Sequence, residues 1–304
     1  MTAPHSASLP PLARAELDRA AEERMSPGLV EAARSDSSTR VLVIEGDRAP
    51  LADPDTLLLV GPDAVPDAAQ WAFLGREPGG AAVLAAVFPG ADERLFAAPG
   101  GWAGLRTVGG ALNARDAGIF VEALSLGRWL LDAPHCPACG ALTDLIDGGW
   151  SRRCPSCGRQ HFPRTDPAVI VAITSAHDPD LLLLGSNALW GANRYSCFAG
   201  FVEAGESLEA AVQREVAEES GIEVDVVTYR GSQAWPYPRS LMVGFLASAV
   251  DDGAARPDGE EIVAVRWFTR DEIGAALASE TDVALPGPSS IAHRLISDWH
   301  AGPR

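Results

Sequence analysis

Residues 200–222, GFVEAGESLEAAVQREVAEESGI, constrain this chain more tightly than any other stretch. Their middle predicts a helix. Ser207 can act as N-cap, Glu209 puts an acid in the first turn where the helix dipole favours one, and Gly221 can end the helix. Leu208, Val212 and Val216 recur every four residues as an apolar stripe. Glu215, Glu218 and Glu219 stand at i, i+3 and i+4 and share one face. At about 100° per residue that face overlaps the apolar stripe, with Glu219 nearest Leu208 and Val212. A merely solvated acidic face would point the other way. Three carboxylates this close repel one another unless a cation stands among them. Hard divalent ions such as Mg²⁺ take oxygen ligands and bridge carboxylates to phosphates. Arg214 lies four residues before Glu218 and can orient an acid. Gly200 and Gly205 permit a tight loop ahead of the helix, against which a phosphate could lie.

The stretch resembles the Nudix box: Gly, five residues, Glu, seven residues, Arg-Glu, an apolar residue, any, Glu-Glu, any, Gly, apolar. Gly200, Glu206, Arg214, Glu215, Val216, Glu218, Glu219, Gly221 and Ile222 fill its nine specified positions over 23 residues. The resemblance implies a loop–helix–loop metal site that hydrolyses a nucleoside diphosphate linked to another moiety. In that reading Glu215, Glu218 and Glu219 bind Mg²⁺ or Mn²⁺, Arg214 holds the acids in place, and Glu218 or Glu219 is the general base.

At 304 residues the chain has room for two domains and a small third module. An apolar content of 47% suits a globular enzyme. The net charge of −17 argues against broad electrostatic binding of nucleic acid or anionic membrane, so an anionic substrate needs local compensation by metal and arginine. The sequence contains no lysine, and its 24 basic residues are all arginine. No apolar run approaches the roughly 20 residues that span a bilayer. The N-terminus lacks a signal-peptide core, so a cytoplasmic location is expected and no membrane partner. Five cysteines in a reducing compartment point to metal or burial before disulfides.

Read in order, residues 1–38 form a loose leader with one short helix over 13–24. Strands are expected at 40–44, 56–60, 71–74 and 81–88, separated by turns such as ADPD and EPGG, as an antiparallel sheet. A helix over 113–131 follows, with Phe120, Leu124 and Trp129 among its buried positions. Cys136, Cys139, Cys154 and Cys157 then form two CxxC pairs separated by fourteen residues. Each pair makes a knuckle closed by a glycine, and two knuckles supply four thiolates to a tetrahedral Zn²⁺. Four ligands leave no open position, so the site is structural; a redox pair or four unrelated thiols are the alternatives. His135 and His161 flank the knuckles and could substitute. Arg152, Arg153, Arg159 and Arg164 with Trp150 and Phe162 make a small basic, aromatic patch, read either as a nucleic-acid contact or as a rigid linker. Cys197 reads as a buried hydrophobe. After the ribbon, strands at 168–174, 181–185, 195–199, 224–230, 240–249 and 261–268 and helices at 271–278 and 290–299 surround the box.

Three further stretches narrow the resemblance: the Cys₄ knuckles directly before the box domain, FPRTDPAVI at 162–170, and SQAWPYPRS at 232–240. The last is similar to the SQPWPFPxS motif of NADH pyrophosphatases of the Nudix superfamily, with Ala234 and Tyr237 as departures. SIAHRLISDW near the C-terminus also resembles that family's last helix. Pro236 and Pro238 fix the backbone and hold Trp235 and Tyr237 at low entropic cost, as a platform that stacks on a base or ring or as a turn packed into the core.

The resemblance implies an α+β chain. A mainly β N-terminal domain (1–130) and a Cys₄ zinc ribbon (131–161) precede an α/β/α Nudix sandwich (162–304). It implies hydrolysis of the pyrophosphate of NADH or NAD⁺ to nicotinamide mononucleotide and AMP, removal of NAD caps from RNA 5′ ends, and a homodimer. Glu261 matches a further acidic metal ligand, with Glu260 the other candidate. Arg106, Phe162, Phe201, Gln233, Trp235 and Ser240 make the implied substrate-binding set; Phe162 stands where the family has a tyrosine, which removes a hydroxyl donor. The rival readings are a Nudix hydrolase of ADP-ribose or dinucleoside polyphosphates, and a silent nucleotide- or RNA-binding module.

Overall fold

The computed structural model describes residues 9–90 and 95–302, so the first part of the expected leader lies outside the described residues. The chain divides into two compact units, Leu12–Thr165 with Ala234–Arg239, and Asp166–Gln233 with Ser240–Arg304.

In the first unit the helix expected over 13–24 does not form. Asp18 bridges to Arg76, and Ala20 sits at φ 40°, a left-handed conformation that interrupts a right-handed helix. The helix of this region is α1 (Leu29–Arg34). The sheet comprises β1 (Arg40–Glu45), β2 (Arg48–Asp53), β3 (Thr56–Leu57), β4 (Gln70–Arg76) and β5 (Ala82–Phe88), in the order β3-β2-β1-β5-β4, with β6 (Trp102–Gly104) on β2. It is mixed, not antiparallel: β1 and β5 run parallel from Arg40↔Val83 to Glu45↔Phe88. Every residue of β5 is buried, as a strand covered on both faces must be. After α2 (Leu105–Val108) comes α3 (Ala114–Asp132), capped by Asn113, whose side chain accepts from the Asp116 N–H at 2.9 Å. Phe120 and Leu124 on α3 pack into the sheet's core, and Trp129 is half-buried beside them. The buried Asp116 accepts from the Leu57 N–H at 3.0 Å, tying the helix to β3.

The ribbon strands β7 (Asp144–Ile146), β8 (Ser151–Arg153) and β9 (Gln160–His161) form a small sheet of their own. Two residues of the expected basic, aromatic patch have structural partners. Trp150 donates to the Phe73 carbonyl at 2.7 Å and lies under the Arg24 guanidinium at 3.6 Å. Arg152 is buried and donates to the Leu130 carbonyl near the end of α3 at 2.8 Å.

The second unit contains β10 (Asp166–Thr174), β11 (Leu181–Asn187), β12 (Phe198–Phe201), α4 (Leu208–Ser220), all but the last two residues of β13 (Val224–Trp235), β14 (Ser240–Ala249), β15 (Ile262–Thr269), α5 (Arg270–Leu277) and α6 (Ile291–Ala301). The sheet order is β13-β14-β10-β11-β15, with β12 on β10, and β10 runs parallel to β14. Alternation along β10 divides the core. Val169, Val171 and Ile173 pack with Val212 and Val216 of α4, while Ile170 and Ala172 pack with Leu295 and Trp299 of α6. The result is an α/β/α sandwich. Among the described residues no helix is long and apolar enough to cross a membrane.

One acid of the first unit is buried at a cost. Glu122 on α3 is 5% exposed, lies 3.6 Å from the Arg19 Nε, and has no hydrogen-bond partner on Oε1. Burial pushes its carboxyl up to about 7, against the pull of Arg19 and Arg24. A folded-state value above the unfolded 4.5 means that stability is lost as pH rises from 4.5 through about 7. That displacement corresponds to at most about 3 kcal/mol. Glu122→Gln is therefore expected to raise the melting temperature at pH 8 and leave it nearly unchanged at pH 5. Thermal melts at the two pH values check this; an equal shift at both would contradict it.

Candidate active site and zinc site

The acidic site is built by β12, the loop after it, and α4. Ser207 caps α4 by accepting from the Ala210 N–H at 3.1 Å, and Gly221 closes it at φ 67°. A Cβ at Gly200 would overlap the Glu215 carboxyl group, so a larger residue there would displace that carboxyl from its place. The helix can thus lay Glu215 directly against β12.

Arg214 organises the acids. Its Nε and Nη2 donate to the two Glu206 oxygens, each at 2.8 Å, and Nη2 also reaches the Phe201 carbonyl at 2.9 Å. Its Nη1 donates to Glu215 at 2.9 Å and Glu218 at 3.1 Å. These bonds hold the Glu206 carboxyl down to about 2 and raise the Arg214 value. Burial pushes Glu215 up, against the opposing pull of Arg214.

Glu219 is the exception. It is 6% exposed, and its carboxylate accepts from the Ala199 N–H at 3.3 Å. Burial first, then the charges of Glu261 and Glu215, push its carboxyl up to about 8. Arg214 pairs with Glu215, but among the described residues Glu219 and Glu261 have no ion-pair partner, and three acids around one cavity suit a divalent cation. They line a cavity of 440 Å³ with Gly200, Phe201, Glu203, Arg214, Ser240 and Met242.

The thiols of Cys136, Cys139, Cys154 and Cys157 lie within 4.8 Å of one another. Sulfur separations of 3.7 Å (Cys136–Cys157) and 3.5 Å (Cys139–Cys154) approach the roughly 3.8 Å edge of a tetrahedron with 2.3 Å Zn–S bonds. The two knuckles repeat one geometry. Gly140 and Gly158, at φ 75° and 73°, donate to the Cys136 and Cys154 carbonyls at 2.8 and 2.9 Å. The Cys157 N–H on Cys154 Sγ, 3.4 Å away, helps to hold that thiol down to about 7. His161 Nε2 lies 3.2 Å from Cys136 Sγ, beside the four sulfurs.

Comparison with known proteins identifies three matched segments. Family models match residues 18–129 (NADH pyrophosphatase-like rudimentary NUDIX domain), 132–162 (NADH pyrophosphatase zinc ribbon domain) and 164–286 (NUDIX domain). The NAD-capped RNA hydrolase NudC of Mycobacterium tuberculosis is 40% identical, with 97% of this chain and 96% of that protein covered. The NudC of Mycobacterium bovis gives the same figures. Human NAD-capped RNA hydrolase NUDT12 is 39% identical over 62% of this chain and 42% of its own length. The chain belongs to the NADH pyrophosphatase family of Nudix hydrolases.

In this Nudix hydrolase the sequence-predicted residues fall into separate groups. Glu215, Glu219, Glu261, Arg214, Phe201 and Ser240 share the cavity. Glu218 does not line it; its side chain is 60% exposed and bonded to Arg214. Gln233 is buried and donates to the Ser289 carbonyl at 3.1 Å. In the first unit, Trp235 and Tyr237 pack against the core cluster of α3 and the sheet. The Arg106 guanidinium lies 3.9 Å from the Tyr237 ring centroid and 5.3 Å from that of Trp235, and the Arg106 backbone N–H donates to the Tyr237 hydroxyl at 3.2 Å. Phe162 is exposed. The sequence reading missed Glu203, which lines the cavity, and Asp258, which accepts from the backbone N–H groups of Glu260, Glu261 and Ile262. The PDGEE turn was a usable signal for Asp258.

The zinc ribbon is expected to carry one zinc per chain in protein purified without chelator, read by elemental analysis. Cys154→Ser should lose the metal and lower the melting temperature, because structural zinc contributes folding free energy. At the acidic site, Glu219 holds its proton below about pH 8 in the metal-free protein. Uptake of Mg²⁺ or Mn²⁺ at pH 7 should therefore release about one proton, and fewer above pH 8. Calorimetry in buffers of different ionisation enthalpy measures that number; zero release at pH 7 would contradict it.

Proposed function

We propose that the chain hydrolyses the pyrophosphate bond of NADH or NAD⁺ to nicotinamide mononucleotide and AMP, and removes NAD caps from RNA 5′ ends. The observation that carries this reading is the cavity in which Glu215, Glu219 and Glu261 face one another beside the Phe201 ring. The names of the mycobacterial and human relatives support the substrate. Glu215, Glu219 and Glu261 would hold Mg²⁺ or Mn²⁺, with Glu218 at the outer edge. When bound, the metal neutralises phosphate charge and lowers the pKa of an attacking water.

The chain's own groups supply the rest. Arg214 fixes Glu215 and Glu218 and ties the Phe201 backbone to α4. Phe201, 55% exposed, offers a ring face at the cavity to a base or nicotinamide. Of the two candidate bases, Glu219 is the one that lines the cavity, and Glu218 is exposed and bonded to Arg214. We assign to Glu219 the proton of the water that attacks phosphorus. The bridging P–O bond then breaks, giving two monophosphates. We further infer a homodimer and a cytoplasmic location.

Incubation with NADH, NAD⁺, ADP-ribose, a dinucleoside polyphosphate and NAD-capped RNA, with Mg²⁺ or Mn²⁺ and products read by mass spectrometry, tests the reading. The expected products are nicotinamide mononucleotide with AMP, and 5′-monophosphate RNA. Glu219→Gln should lower kcat by about 10² or more while leaving the far-UV spectrum unchanged. Preference for ADP-ribose over every NAD substrate would overturn the substrate, and a variant keeping a tenth of the rate would overturn the role of Glu219.

A further inference from the structure

Asn187, the last residue of β11, has a place in the second unit that nothing in its local sequence announces. The pairing of β11 with β15 slips here: Ser186 faces Ala264 but Asn187 faces Ile262, so Val263 is looped out. Such an irregularity re-aims the backbone at its end. Glu261 immediately precedes β15, and the turn that follows Asn187 grips it. The Ala188 N–H donates to the Glu261 carbonyl at 2.8 Å, and the Trp190 N–H donates back to the Asn187 carbonyl at 3.0 Å.

The Asn187 side chain has a determined orientation. Its Oδ1 accepts from the Leu189 N–H at 2.9 Å, which only the oxygen can do. Its Nδ2 is then left to donate to Glu261 Oε1 at 3.1 Å. The opposite amide orientation would set N–H against N–H and oxygen against carboxylate. From the other side the Glu261 N–H donates to Asp258 Oδ1 at 2.8 Å. Glu261 is therefore held through its carbonyl, its N–H and one carboxylate oxygen, at the edge of the cavity that Glu215 and Glu219 also line.

We propose that Asn187 is a positioning residue for the metal site: its amide N–H holds Oε1 of Glu261 and leaves the other oxygen for a divalent cation. The inference rests on the reading of Glu261 as a ligand. Partners of this kind orient ligating carboxylates and commonly account for about 10-fold or more in metal affinity. A turn-forming role alone would need only Oδ1.

The two roles separate in one experiment. Asn187→Ser keeps a side-chain acceptor for the Leu189 N–H but is too short to reach Glu261. Mn²⁺ affinity, read from the paramagnetic resonance signal of the free ion, is measured for the wild type, N187S, E261Q and the double variant. The expected result is about a 10-fold loss in N187S and less than a twofold further loss when it is added to E261Q. Wild-type affinity in N187S, or the same loss in both backgrounds, would overturn the positioning role alone. Unchanged affinity in E261Q would overturn the ligand reading of Glu261 and the inference with it. Should N187S not fold, Asn187→Asp is isosteric and still accepts from Leu189; unchanged Mn²⁺ affinity in that variant overturns the proposal equally.

Discussion

The guanidinium of Arg214 is the interaction on which the catalytic unit depends. It bonds two oxygens of Glu206, one each of Glu215 and Glu218, and the carbonyl of Phe201. A planar group with donors fanned in fixed directions can do this; an ammonium, a point charge on a flexible stem, cannot hold so many acceptors in one plane. Through these contacts a single side chain joins the loop before the helix, the helix itself and the end of β12. It also divides the acids. Glu206, Glu215 and Glu218 have their cation within the protein, whereas among the described residues Glu219 and Glu261 have none. The carboxyl groups left without a guanidinium both line the cavity, and a cation entering there competes with the proton on Glu219 and not with an arginine.

How much of this was legible in the sequence follows from the range of the interactions. The helix of the box, its cap and its terminating glycine are local, and the periodic stripe of Leu208, Val212 and Val216 placed Glu219 on the buried side. The zinc knuckles are local too, since each sets its own turn. Asn187 had no such signal, because its partner lies 74 residues away and the slip that brings them together belongs to strand pairing. The parallel pairing of β1 with β5 was hidden for the same reason: alternation reveals a strand's faces but not its neighbour's direction. Ala13 to Arg24 read as helix on composition, yet the Asp18–Arg76 bridge, a tertiary contact, drew that segment out as a strap along β4.

The aromatic residues show the same limit from another side. Trp235 and Tyr237 sit in a rigid proline-flanked segment whose sequence suits either a ligand platform or a packed turn. What decides the surroundings of such rings is the surface they meet, here the core of α3 and the first sheet with Arg106 over Tyr237. Trp150 and Arg152 likewise read as contributors to a basic patch, and only the fold reveals the carbonyls to which they donate.

Those last two bonds have a consequence for how the chain can be divided. Arg152 reaches back from the ribbon to a carbonyl near the end of α3, and Trp150 reaches across to a carbonyl of β4. Both cross the line at which sequence would cut a first domain from the ribbon. A fragment ending at that line would keep a sheet and helix whose acceptors at these two points have lost their buried donors. A ribbon excised alone would carry a guanidinium without its α3 acceptor and a bare indole to the surface. The knuckles look like a detachable cassette in the sequence, but the segment between them is hydrogen-bonded to α3 and β4. Transplanting the ribbon between relatives would require carrying those two acceptors along.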